Sequence, residues 1–352
     1  MLTGKRIVIT GGTGSLGKVL TRRLLTGEVG KPRKIIVFSR DEAKQHQMRV
    51  EYMNRVAVTD EVIYRNFEQL LEFRIGDVRD YDSVVSVLRD ADVVFHAAAL
   101  KQVPACEYFT FEAVRTNVLG PQNVVRAICE FGLPIDTVVG ISTDKACKPV
   151  NVMGMTKALL ERVFIRANLD CLQTRFVCVR YGNVLASRGS VIPLFREQIR
   201  AGGPVTITSL GMTRFLLSLE QAVDTVFAAL REAQRGETYI PRVPSARIGD
   251  IAEALIGKRD VKTEVVGVRP GEKLHEILVS EEESHRTSSR GEYYVIHPIL
   301  PELRSGRSSA PVLEQEYSSA DDVMSFDNTT ELLERHGLLT LDDRPLDGDL
   351  LR

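Results

Sequence analysis

The chain has 352 residues, 43% of them apolar, and carries 46 lysines and arginines against 47 aspartates and glutamates, a net charge of −1. That length suits one large or two unequal domains with a well-filled core, and the balanced charge gives neither nucleic acid nor an anionic membrane a reason to bind. There is no apolar run of the roughly 18 residues a membrane span needs, and MLTGKR leads straight into a strand-like stretch without a cleavable leader, so membrane insertion is not expected and a cytoplasmic location is.

The first 180 residues alternate short β-branched runs with segments of helical period. Continuous apolar character predicts buried parallel strands over 5–10, 34–39, 70–77, 91–99, 136–143 and 175–183. Helices are expected between them over Leu16–Leu25, Ser83–Leu88, Glu112–Phe131 and Met153–Ala167. This order implies an α/β fold with a doubly wound parallel (Rossmann) sheet over residues 1–183. Gly and Pro clusters at 202–204, 241–244 and 269–271 mark a smaller substrate lobe over 184–283. The polar stretches 284–291 and 302–311 predict an extended C-terminal arm over 284–352, with 341–352 fraying, and the Tyr293–Tyr294 pair within it fits either an interface or a plain edge strand. Five cysteines without a C-x-x-C pair argue against a zinc cluster and against a disulfide framework, so no metal is expected and most cysteines read as small buried hydrophobes.

The segment Thr10-Gly11-Gly12-Thr13-Gly14-Ser15-Leu16-Gly17 follows the first strand and opens a helix, the setting of a dinucleotide cradle. Gly11 permits the tight turn, Gly14 lets the backbone approach a pyrophosphate and Gly17 lets helix and strand close on each other, with Thr13, Ser15 and Leu16 beside the helix N-terminus. At the end of the second strand Ser39, Arg40 and Lys44 favour NADP, because two cations one turn apart can converge on a 2′-phosphate; the alternative is a solvated helix start with Asp41 and Glu42 as its first-turn acids. Asp77 can accept from the adenine amino group, and Ala97, Ala98 and Ala99 allow close passage of the cofactor.

Ser142-Thr143-Asp144-Lys145 closes the fifth strand and Met153-x-x-x-Lys157 opens the next helix, at the sheet edge where ligands sit. Through TGGTGSLG, FSRDEAKQ, GDVRD, HAAALKQVPACEY, TNVLGPQNV, STDKACKPVNVMGMTKALLE, RYGNVLASRGSVIP, MTRF, RPGEKLHE and YSSAD, the chain resembles extended short-chain dehydrogenases/reductases over about residues 1–320. Within them it looks like the inverting UDP-N-acetylglucosamine 4,6-dehydratases of surface-polysaccharide pathways. One departure is plain: the usual Tyr-x-x-x-Lys pair reads Met153-x-x-x-Lys157, and a thioether has no proton to exchange. A methionine-bearing branch of the family shows the same substitution.

The resemblance implies a tightly bound, recycled NADP, with Val78, Lys101, Ser142, Lys157, Tyr181 and Val184 joining the cofactor contacts. It implies that Lys145 takes the C5 proton of the sugar, that Asp144 protonates the departing 6-hydroxyl, and that hydride passes from C4 to the cofactor and back to C6. Lys145 must then be partly neutral, which crowding by Lys157 or Lys101 or a desolvated pocket would favour. The acceptor for the 4-hydroxyl proton stays open among Thr143 as relay, a water held by Lys157, and Lys157 itself. The resemblance also implies UDP-sugar contacts from Lys101, Asn183, Arg188, Gly189, Ser190, Val191, Thr208, Arg214, Arg269 and Glu272, and a homo-oligomer. His96 on an apolar strand reads as a satisfied interior histidine, and His275 carries no acid–base role. Rival readings are another nucleotide-sugar epimerase or dehydratase on the same scaffold, or a dinucleotide-sensing protein without activity.

Overall fold

A computed structural model describes residues 1–54, 67–185, 190–304 and 311–340. Its strands in chain order are β1 (Arg6–Thr10), β2 (Lys34–Ser39), β3 (Leu71–Ile75), β4 (Val93–His96), β5 (Thr137–Ile141), β6 (Arg175–Val179), β7 (Asn183–Val184), β8 (Val205–Ile207), β9 (Thr213–Leu217), β10 (Thr238–Pro241), β11 (Ser245–Arg247), β12 (Thr263–Val265), β13 (Ile277–Val279), β14 (Thr287–Arg290), β15 (Tyr293–Ile296) and β16 (Tyr317–Ser318). The main sheet runs β14-β15-β10-β6-β5-β4-β1-β2-β3. Pairing is parallel from β3 to β10, and β15 and β14 close the far edge antiparallel. The reversal of strand order between β1 and β4 opens the crevice in which such sheets take ligands.

Helices on both faces explain why the central strands are apolar without alternation. Ile7, Ile9, Val37, Phe95 and Val139 face a core shared with helices Ser15–Leu25 and Leu219–Glu232. Val8, Ile36, Val94 and Val138 face a second core under helices Tyr81–Leu88, Gly120–Phe131 and Val152–Asp170. A third core, with Phe195, Ile207, Ile251 and Leu255, builds the lobe from helices Val191–Arg200 and Ile248–Ile256.

The packing departs from the expected partition in four places. Helix Leu219–Glu232 and strand β10, expected in the lobe, pack into the main sheet because their apolar residues extend its core. The stretch 284–291, expected as an arm, contains the edge strand β14, in which the buried Thr287 and Ser288 are satisfied by Glu283 O (2.8 Å) and the His297 ring (2.9 Å). Tyr293 and Tyr294 are no free interface: they pack on Tyr239 and Tyr317, and the Arg242 guanidinium covers Tyr294. Helix Phe326–Arg335 returns to the lobe, burying Leu333 in its core. Residues 305–310, within the second expected arm stretch, and the tail 341–352 lie outside the described residues.

Cysteine pairing also differs. Cys129, near the end of helix Gly120–Phe131, forms a disulfide with Cys171, which caps helix Val152–Asp170, their Cα atoms 5.5 Å apart. Two packed helices bring them together, which spacing along the chain does not reveal. Cys106, Cys147 and Cys178 are free and buried.

Candidate active site

The turn after β1 is fixed by its glycines. Gly11 has φ +67°, and a Cβ there would lie 2.8 Å from the Ala98 backbone; a Cβ on Gly17 would lie 2.5 Å from Gly12. Gly14 caps helix Ser15–Leu25 without a side chain, so the backbone N–H groups of that first turn are left for an anion. Thr10 Oγ1 accepts from Ala98 N (3.2 Å), and Ala97 N donates to Thr10 O (3.1 Å), locking the alanine run against the turn. A cleft above them is lined by Gly11, Thr13, Ser39, Arg40, Lys44, Asp77, Val78, Ala98 and Ala99 from the sequence reading, joined by Phe38, Asp41, Gly76 and Thr116. A dinucleotide fits this cleft on two observations: backbone stands where any side chain would block it, and two cations line its far end.

Those cations are not bare. Lys44 Nζ sits 2.6 Å from Asp41, and Arg40 Nη1 sits 3.8 Å from Asp77. Arg79, not singled out from sequence, grips Asp77 at 2.6 Å. Burial works to raise the Asp77 carboxyl, but Arg79 and Arg40 hold it below the usual aspartate value.

At the end of β5 the chain enters a single 3-10 turn, Asp144–Ala146, capped by Thr143. Thr143 Oγ1 donates to Asp144 Oδ1 (2.7 Å), and Lys145 Nζ lies 3.2 Å from the same oxygen. On its other side Lys145 meets Glu276 Oε1 at 3.1 Å. Both carboxylates are almost fully buried, and the lysine side chain is 22% exposed. Burial would pull Lys145 down, but the charges of Asp144 and Glu276 hold it above the ordinary lysine value. Burial and the nearby Glu276 push the Asp144 carboxyl up, despite Lys145. The expectation of a partly neutral Lys145 is therefore corrected for this resting arrangement. Its ion-pair contacts are the acids Asp144 and Glu276, not Lys157 or Lys101.

The lysine that burial does pull down is Lys157. Its Nζ donates to Ile141 O (2.7 Å), and burial lowers it to about 8. Met153, one turn earlier, packs in a small apolar cluster with Cys106 and Ala113. Ser142 is pinned elsewhere, donating to Glu161 at 2.5 Å. Asn117, which the sequence reading did not pick out, sits in a π-helical turn, Arg115–Leu119, and clasps Leu100 N and O and Thr156 Oγ1 at 2.8–3.0 Å. Tyr181 O accepts from Asp144 N (3.1 Å), and burial pushes the Tyr181 phenol up. Val184 and Asn183 pair with β9. His96 shares a 3.1 Å hydrogen bond with Thr10, is lowered to about 3 by burial and by Lys157, and leaves Nε2 without a partner among the described residues. His275 bonds Thr213 (2.8 Å).

The segment 269–276 docks on this turn. Asn151 Nδ2 donates to Gly271 O (2.7 Å) and Lys273 Nζ to Cys147 O (2.5 Å), while Glu276 N donates to Ser319 Oγ (2.9 Å). Of the expected sugar-nucleotide contacts, Asn183 Oδ1, Ser190 Oγ and Glu272 Oε2 are buried without a hydrogen-bond partner among the described residues. Val191 opens the helix that Ser190 caps, and Thr208 follows β8. Lys101 and Arg269 are exposed. Arg214 departs from the expectation: its guanidinium is buried and spent on the carbonyls of Thr213, Lys273 and Leu274, with Nε 3.9 Å from Glu276. A buried guanidinium must find acceptors, and this segment supplies them. Arg188 and Gly189 lie outside the described residues. Among those described, no helix is long and apolar enough to cross a membrane.

Comparison with known proteins agrees with this architecture. The family described as polysaccharide biosynthesis protein matches residues 7–298. The chain belongs to this family. One relative, from Campylobacter jejuni, is named UDP-N-acetylglucosamine 4,6-dehydratase (inverting) and is 43% identical over 303 residues, 85% of each chain. Another, from Rickettsia bellii, is named UDP-glucose 4-epimerase and is 43% identical over 301 residues, 84% of each. Among solved structures, Pen from Bacillus thuringiensis superposes with a TM-score of 0.85 at 34% identity, covering 96% of this chain and 99% of that one. These two relatives carry different activity names at equal similarity to the chain.

Proposed function

We propose that this chain is an inverting UDP-N-acetylglucosamine 4,6-dehydratase, working with NADP and yielding a UDP-2-acetamido-2,6-dideoxy-hexos-4-ulose for surface polysaccharide. The observation that carries the reading is the acid–base pair Asp144–Lys145 on the turn after β5, one carboxyl raised by burial and one ammonium 3.2 Å away. A 4-epimerase needs only a proton acceptor for one hydroxyl and a hydride carrier. Elimination across C5 and C6 needs a base and an acid together, and the turn presents both.

The dinucleotide, when bound, supplies hydride acceptance at C4 and hydride return at C6. Lys157, partly uncharged near neutral pH, is suited to take the 4-hydroxyl proton that Met153 cannot accept. Asp144 is suited to give its proton to the leaving 6-hydroxyl. Lys145 takes the C5 proton once its own proton has crossed to Asp144, a transfer that arms acid and base at once. Asn183, Ser190 and Glu272 offer buried acceptors and a donor to the nucleotide. Exposed Tyr108, Phe111, Met155 and Leu159, on helices that pack together, and Phe109 on the turn between two of them support an assembly of identical chains.

Incubation with UDP-N-acetylglucosamine in deuterium oxide tests this reading: a product lighter by one water and labelled at C5 is expected, whereas recovery of the C4 epimer at full mass would assign the epimerase activity instead. Two substitutions sharpen it. Arg40→Ala with Lys44→Ala is expected to reduce the preference for NADP over NAD by about 10-fold or more, read as the ratio of dissociation constants, because a 2′-phosphate loses two charge-assisted contacts. Met153→Leu is expected to keep kcat within about threefold of the parent, since the swap conserves volume and removes no proton carrier.

A further inference from the structure

The buried Glu276 carboxylate has no part in the steps above, yet it touches the residue that carries them. We propose that Glu276 is a positioning residue for proton abstraction: it fixes the Lys145 side chain opposite Asp144 and balances the charge that Lys145 gains on taking the C5 proton. This rests on the dehydratase reading.

The geometry carries the assignment. Lys145 Nζ lies between two carboxylate oxygens, 3.2 Å from Asp144 and 3.1 Å from Glu276. Glu276 is anchored from both sides of its own backbone, its N donating to Ser319 Oγ (2.9 Å) and its O accepting from Ser319 N (2.8 Å), so its carboxylate cannot retreat far from Lys145. A buried carboxylate whose second oxygen finds no hydrogen-bond partner among the described residues is costly to keep for structure alone.

In the abstraction step the C5–H bond breaks, its electron pair delocalises toward the C4 ketone, and the proton joins Lys145. The C6–O bond breaks as Asp144 delivers its proton, and water leaves. The turn passes from a neutral acid and neutral amine to a carboxylate and an ammonium, total charge unchanged. Glu276 stays anionic throughout and favours the ammonium, which makes Lys145 a stronger base toward a weak carbon acid. The charged groups facing this pair are Asp144 on the turn, Arg214 on β9, and Lys273 and Glu276 on the docked segment. Arg214 and Lys273 oppose the ammonium, so Glu276 also offsets them.

Because Glu276 raises both Asp144 and Lys145, its removal must lower both. With Glu276→Gln, the acid and alkaline limbs of the pH profile of C5 exchange are expected to move together to lower pH, by about one unit, and the plateau to drop roughly 10- to 100-fold while KM for the UDP-sugar changes little. Dinucleotide binding by the purified variant verifies that it has folded, and Glu276→Asp, which keeps the charge, is expected to restore the limb positions even at a reduced plateau. A lower rate with unmoved limbs overturns the proposal, as does a Glu276→Asp profile that follows Glu276→Gln. If the parent enzyme releases no water from the sugar, the dehydratase reading itself fails, a result separate from either outcome.

Discussion

Lys145→Ala is expected to lower both water loss from UDP-N-acetylglucosamine and deuterium entry at C5 by at least about 10³-fold, the range in which a positioned base contributes. Binding of the dinucleotide should stay within a few fold, because Lys145 stands at the turn after β5 and does not line the cleft between Gly11 and Asp77. Folding should survive as well, with an altered balance: Asp144 and Glu276 lose the ammonium between them, and both buried carboxylates become harder to ionise. Isotope exchange followed by NMR, alongside dinucleotide titration, separates these effects. Retained exchange at C5 would take the base role away from Lys145.

The largest effect on stability is expected from Arg180. This guanidinium, 2% exposed, bridges Glu161 on helix Val152–Asp170 (2.6 Å) and Glu283 on the short helix Glu281–Ser284 (2.7 Å), and donates to Leu278 O (2.8 Å). Glu161 also receives Ser142, so the network lies under the segment that leads to Asp144. Arg180→Leu strips the buried Glu161 of its bidentate cation and leaves Glu283 only the more distant Arg286 at 3.5 Å, and should cost about 3–5 kcal/mol of unfolding free energy. Adding Glu161→Gln and Glu283→Gln should recover much of that loss, because the penalty belongs to the stranded charges more than to the lost pair. Urea midpoints of the three proteins check this. The pH dependence should reverse as well. Burial acts to raise the Glu283 carboxyl, but Arg180 overrides it and holds it at about 2 against an ordinary 4.5. A depressed folded value means stabilisation that is complete above pH 4.5 and fades as pH falls toward 2. In Arg180→Leu the stranded carboxyls shift upward instead, so acidification from pH 7 toward 4.5 should stabilise the variant relative to its own state at pH 7, with no further gain from these groups below the unfolded value.

Much of the fold could be read from local patterns. The second strand occupies the expected residues 34–39, and β1, β3, β4, β5 and β6 fall within the other expected runs, because strands buried on both faces write a continuous apolar signature. The glycine cradle was equally legible, since each glycine answers a backbone contact within one turn. What was missed depends on partners distant in sequence. Glu276 closes the RPGEKLHE motif, but nothing local says that its carboxylate will meet Lys145 and reverse the expected charge state. Arg214 looked like a phosphate ligand until the carbonyls of 273 and 274 claimed it. The polar residues of β14 read as part of an extended arm because an edge strand can satisfy hydroxyls through side chains from its neighbours, here His297.

The order in which the main sheet is completed has a bearing on how the protein comes into being. Strand β10 gains its outer neighbour only from residues 293–296, and that neighbour gains its own from 287–290, after the lobe strands β11 and β12 and helix Ile248–Ile256 have been made. A nascent chain halted before residue 287 would expose β10 as an unpaired edge, open to association with other unfinished chains. Translation must therefore run almost to the end before the crevice rests on a closed platform, and truncations placed between the lobe and β14 should yield aggregates, not a smaller working enzyme.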